Sequence, residues 1–295
     1  MQSADFLSAV FFYLKVGENL NQNWIVENLN NAFSTWNEKL GELWGLVTTG
    51  PQTFKGGAVW SVMQTLHNGM VGIGYALVVL FFAISLCKNT MNFHELKRPE
   101  AAIHYFLRFV AAKALVGYGM DIMLNVFSIC NGIVTDMADS MGGISEAMVS
   151  LPAEMQAAIE NVGFLASIPL WLVTILGSLF ITVFSFVMIL TVYGRFFRLY
   201  MYTALAPLPL AAFAGESTQS VGISFLKSYV GVCLEGAVIV LACVIYSAFV
   251  STPTVASGEA TTIVWSYLAE TVFNMLVLVG LIKGSDRIIH EMMGL

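Results

Sequence analysis

"GAVWSVMQTLHNGMVGIGYALVVLFFAISLC", Gly57 to Cys87, runs its whole length without an Asp, Glu, Lys or Arg. A helix of about 20 apolar residues spans the ~30 Å hydrocarbon core of a bilayer, whereas a barrel strand needs only ~10 alternating residues, so this run predicts a membrane-spanning helix. Comparable runs follow at about 101–134, 164–194, 228–250 and 263–283. Composition agrees. The 295 residues are 57% hydrophobic and 11% charged, against about 45–50% apolar and about 25% charged in soluble domains. The predicted fold class is all-α, a polytopic helical membrane protein with about five transmembrane helices.

Residues 1–55 stand apart from the transmembrane domain, 56–295. From Ile25 the apolar positions Ile25, Leu29, Phe33, Trp36, Leu40, Leu43 and Val47 recur every three or four residues, with Glu27, Asn31, Glu38, Lys39 and Glu42 between them. That spacing predicts an amphipathic helix. Trp24, Trp36 and Trp44 suit the headgroup level, which places this helix in the membrane interface or against neighbouring subunits; packing on the protein's own core is the other reading. The start of the chain has no basic segment before its apolar stretch and no small-residue cleavage site after it, so no cleaved signal peptide is expected.

Lysines and arginines mark cytoplasmic flanks, and none occurs between Lys113 and Arg195 or between Lys227 and Lys283. Each gap accommodates an outward span, a loop and an inward span. The expected topology is N-terminus out and C-terminus in, although Lys15, Lys39 and Lys55 then lie outside. Loop 135–161 is expected outside, carrying Asp136, Asp139, Glu146, Glu154 and Glu160 without a basic residue. The stretch "RFFRLYMYTALAPLPLAAFAG", residues 195–215, carries Arg195, Arg198, Pro207 and Pro209. Were it to cross, Lys227, Lys283 and Arg287 would all lie outside. Each interior proline costs about 3 kcal/mol and frees a carbonyl that neighbouring protein must satisfy. We therefore expect a broken, re-entrant element buried in protein, with a proline-kinked sixth span as the alternative.

Ionisable residues within spans cost about 2.5–3.5 kcal/mol each on insertion scales, so they face a bundle interior or a water-filled path. Lys113 and Asp121, on one span, would be separated by about 12 Å in rise and about 80° around a straight helix. Glu235, Glu270 and Asn274, one turn beyond Glu270, complete the set. A polar path between helices and plain interhelical hydrogen bonding both fit these residues. Arg195 and Arg198 share one helical face and suit anionic headgroups or, more sharply, substrate; Arg108 and Lys283 can snorkel. His67 reads as hydrogen-bonded packing, and "GMVGIG" (69–74) as close helix packing, since it lacks the strand-turn-helix context of a nucleotide loop. Cys87, Cys130, Cys233 and Cys243 are scattered singly and read as buried free thiols. No catalytic set, cofactor motif or metal-ligand spacing appears, so neither enzyme activity nor a cofactor nor a metal is expected.

The stretch from Arg195 to Val250, with its arginine-bearing entry, "ALAPLPLAAFA", polar "GESTQSVG" and "FLKSYVG" leading into a long apolar helix, resembles the TrbL family. These are polytopic channel subunits of conjugative type IV secretion systems, related to the sixth VirB component. The resemblance implies a bacterial inner-membrane oligomer working with other secretion-system membrane subunits and cytoplasmic ATPases, in contact with membrane lipid, through which DNA with its relaxase or protein substrates pass. It also implies a substrate-contact role for loop 135–161, whose acidity suits protein contact better than phosphate contact. Two competing readings are a stand-alone ion or solute transporter using Asp121, Glu235 and Glu270, and a structural membrane protein whose polar residues lock an oligomer.

Overall fold

The computed structural model describes residues 2–90, 99–140, 148–160, 162, 164–249 and 260–294, and every regular element among them is helical. The helices are α1 (Gln2–Thr48), α2 (Ala58–Thr90), α3 (Pro99–Gly117), α4 (Gly119–Ser140), α5 (Ala153–Glu160), α6 (Phe164–Leu205), α7 (Pro207–Ala211), α8 (Gln219–Phe249) and α9 (Ala260–Met293). Four helical segments are long and apolar enough to cross a membrane: Phe54–Lys88, Ile168–Leu205, Gln219–Ala248 and Thr262–Met293. The bent pair Ile103–Gly117 and Gly119–Ser140 makes a fifth if it counts as one span. This is the all-α polytopic fold expected from the sequence.

Two boundaries differ from expectation. The run predicted as a single span at 101–134 is broken at Tyr118, where α3 and α4 meet at 72°. Gly117 and Gly119 flank the break, and both stand where a Cβ would crowd a neighbour: the Tyr75 hydroxyl at 2.7 Å for Gly117, a Leu210 methyl at 3.2 Å for Gly119. Close approach on both sides of one residue takes the place of straight continuation. The third span does not end at Gly194 either. α6 continues to Leu205, so its 42 residues extend about 63 Å, twice the ~30 Å core. Arg195 and Arg198 are therefore interior residues of a continuous helix, and the break begins only at Ala206.

The chain forms two compact units. The first comprises Met1–Gly45, Met141–Thr191 and Leu241–Lys283. In it the α1 stripe from Ile25 to Leu43 is buried, Trp36 completely. Trp24 packs against Trp171 with ring centroids 5.7 Å apart, and Asn28 donates to Ser178 Oγ at 3.0 Å. Trp36 thus serves packing and not the headgroup level. Tyr267 donates to the Ser150 carbonyl at 3.0 Å, and the Asn37 amide pairs with both backbone groups of Val149 at 2.8 and 2.9 Å.

The second unit comprises Leu46–Ser140, Val192–Val240 and Gly284–Leu295. It begins with the turn from α1 into α2, where Lys55, Gly56 and Gly57 all have positive φ (47°, 74° and 76°). Such a turn requires glycine at Gly57, where a Cβ would also meet the Gln52 carbonyl oxygen at 2.8 Å. Phe54 beside it is buried and stacks on Phe196 at 4.0 Å between centroids. Of the four thiols, Cys130, Cys233 and Cys243 are buried as expected, but Cys87 is exposed near the end of α2.

Candidate functional site

The densest polar cluster lies in the second unit, on α6, α8 and the end of α9. Arg195 is completely buried. Its Nε donates to the Val232 carbonyl at 3.3 Å, Nη2 to the Cys233 carbonyl at 3.1 Å and Nη1 to the Val47 carbonyl at 3.3 Å. Val47 lies in the last turn of α1, whose carbonyls lack helical partners, so the guanidinium caps one helix while clasping another. It fits because Gly236 has no side chain: a Cβ there would sit 2.8 Å from both terminal nitrogens.

One turn further along α6, Arg198 Nη2 donates to both oxygens of Glu235 at 2.7 Å, and Nη1 pairs with Asp286. Glu235 is buried, its Oε1 also accepting from Ser285 Oγ at 3.1 Å, while Asp286 faces His290 at 3.5 Å. Two arginines and two carboxylates thus balance. A buried carboxylate with both oxygens engaged tolerates desolvation because its charge is paired and hydrogen-bonded. With the Val47 carbonyl of α1 included, the cluster ties four helices: α1, α6, α8 and α9.

The proline element forms a second polar junction. In a continuous helix the Thr203 carbonyl would accept from the N–H of residue 207, which proline lacks. His67 of α2, 1% exposed, supplies the missing donor through Nδ1 at 2.7 Å. A carbonyl only accepts, so the Nδ1 proton is fixed. α7 packs between α2 and α3, burying Pro207, Leu210 and Ala211, while Pro209 is half-buried. Contact is close at Gly74, where a Cβ would lie 2.9 Å from the Pro207 carbonyl oxygen and 2.9 Å from Val116. Of the "GMVGIG" glycines, Gly74 alone makes such an approach; Gly69 and Gly72 face open space.

The other predicted residues are dispersed. Lys113 and Asp121 are both exposed and lie on either side of the 72° break, so the geometry of a straight helix does not relate them. Asp121 opens onto a cavity of about 510 Å³ that Gln52, Asn125, Ser128 and Asn131 also line. At one end of it Asn131 Nδ2 donates to the Thr48 carbonyl at 3.2 Å, leaving Oδ1 buried without a partner. In the first unit Glu270 is exposed and Asn274 buried on α9. Asp136 and Asp139 are exposed in the last turns of α4, and Glu154 and Glu160 are exposed on α5, where Glu160 accepts from Gln156 at 3.3 Å. Glu146 lies outside the described residues. Among the described residues, no three His, Cys, Asp or Glu side chains come together to hold a metal ion.

Sequence reasoning set Arg195 and Arg198 apart from Glu235 and did not single out Ser285, Asp286 or Gly236. No curated protein and no solved structure matches the chain. A protein family described as "TrbL/VirB6 plasmid conjugal transfer like protein" matches residues 36–207. The match takes in α2, α3, α4 and α6 with both arginines and Pro207, and shares only 195–207 with the stretch that carried the resemblance in the sequence. Since it covers more than half of the chain, the protein belongs to the TrbL/VirB6-like plasmid conjugal transfer family.

Proposed function

We propose that the chain is an inner-membrane channel or scaffold subunit of a conjugative type IV secretion system, helping DNA with its relaxase, or protein substrates, across the cytoplasmic membrane. The observation that carries this reading is the family match over residues 36–207, joined to four or five membrane-length helices. The chain is not an enzyme and works with other subunits and cytoplasmic ATPases. The span Phe54–Lys88 is largely unburied within the chain, and its Val62, Ile73, Val79 and Leu80 offer apolar surface to lipid or to further copies.

The orientation is N-terminus out and C-terminus in. Two of the lysines that sit awkwardly with it are locally compensated. Lys39 pairs with Glu42 at 2.8 Å and Glu38 at 3.2 Å, and these hydrogen bonds hold its ammonium above the usual lysine pKa. Lys55 lies 4.8 Å from the Tyr193 ring centroid. Loop 135–161, acidic and without a basic residue in the sequence, takes a protein-contact role. In-frame deletion of the gene should abolish transfer of its element, and complementation should restore it. Transfer at normal frequency from the deletion strain overturns the proposal. Proton- or sodium-coupled solute flux in liposomes, lost in Glu235→Gln, would favour a stand-alone transporter; with both Glu235 oxygens committed to Arg198, no such flux is expected.

A further inference from the structure

One face of α3 changes character along its length. His104 and Arg108 occupy its beginning, and Leu107, Ala111, Ala112 and Leu115 continue along the same side. Together with Phe213 and Gln219 they line an open groove of about 400 Å³. From His104 to Leu115 the helix rises about 16 Å. The two alanines form a shallow floor, and the leucines and Phe213 form walls. Arg108 Nη2 donates to Gln219 Oε1 at 2.7 Å, which anchors the guanidinium at the groove's polar end. Among the described residues, its remaining N–H groups have no partner, and the groove lining contains no carboxylate.

We infer that this groove binds one anionic phospholipid, the phosphate on Arg108 and His104 and an acyl chain along Ala111, Ala112 and Leu115. Charge selects the occupant. A guanidinium with free donors matches phosphate oxygens, and with no acid in the lining a choline or ethanolamine ammonium finds no counter-charge, so a net anionic headgroup is favoured. Apolar walls select a lipid over a free anion, because phosphate alone leaves about 10 Å of apolar groove, from Arg108 to Leu115, unfilled. The inference rests on the protein being membrane-embedded and not on its role in secretion.

The test is native mass spectrometry of the purified full chain, exchanged into detergent with phosphatidylglycerol, phosphatidylcholine or inorganic phosphate. Phosphatidylglycerol should be retained in preference to phosphatidylcholine. Arg108→Gln should weaken that retention about ten-fold, the loss of one charge-assisted hydrogen bond. Ala111→Trp, at an exposed position, fills the groove without touching the charge and should reduce retention equally while the protein elutes as wild type. Equal retention of both lipids, or retention unchanged in Ala111→Trp, overturns the assignment. Displacement of phosphatidylglycerol by inorganic phosphate alone also overturns it, leaving a simple anion site.

Discussion

If His67 replaces a donor that Pro207 removed, then restoring the donor makes the histidine dispensable. His67→Phe leaves the Thr203 carbonyl buried and unpaired, which costs about 1–3 kcal/mol. Pro207→Ala returns an N–H one helical turn from that carbonyl. The backbone permits it, because Ala206 has helical angles (φ −48°, ψ −39°), and Ala retains the Cβ that faces Gly74. In the double variant the restored N–H satisfies Thr203, so the histidine's loss should cost about 1–2 kcal/mol less than in the parent. The assay is a double-mutant cycle of the four proteins, unfolded by SDS titration in mixed micelles and followed by tryptophan fluorescence. Additive losses would refute the argument, since they would mean the two residues do not share one carbonyl.

The arginine cluster makes a related prediction. Glu235→Ala should destabilise by about 3 kcal/mol, below the upper range for a broken buried pair because Arg198 keeps Asp286, and adding Arg198→Met should recover part of the loss in the same titration. Gly236→Ala pushes a methyl against the Arg195 guanidinium; the displaced hydrogen bonds should lower stability by about 1–3 kcal/mol, with wild-type stability contradicting the clasp. Gly74→Ala meets the backbone of Pro207, which cannot yield as a flexible side chain would, and should cost a similar ~1–3 kcal/mol. For topology, a cysteine at exposed Ser140 should label from outside intact cells and one at exposed Ser217 should not; labelling at Ser217 restores a sixth crossing.

The class of the fold was legible because apolar runs of about 20 residues or more read as membrane-spanning helices. The α1 stripe was legible too, since its apolar positions recur at the helical period, but the same pattern serves an interface and a core equally well, and burial of Trp36 distinguished them. Helix ends were harder to read. Proline and arginine together suggested a break beginning at 195, yet arginine is a good helix former when its charge has partners, and those partners come from α8, α9 and α1. The Gly117–Gly119 break was missed because a single glycine is tolerated in a helix; only the neighbours crowding both positions reveal the bend. His67 and Pro207 were each singled out in the sequence. That each answers the other requires distance, which periodicity does not hold.

Arg195 has one further consequence, in the making of the protein. Its acceptors Val232 and Cys233 lie 37 and 38 residues later in the chain. At a synthesis rate of about 5–20 residues per second, the arginine waits roughly 2–7 s for α8 to emerge. During that interval only the Val47 carbonyl has been made. The far end of α6 must stay at an aqueous or phosphate-rich rim until α8 arrives, so the order of translation sets the order in which these helices come together.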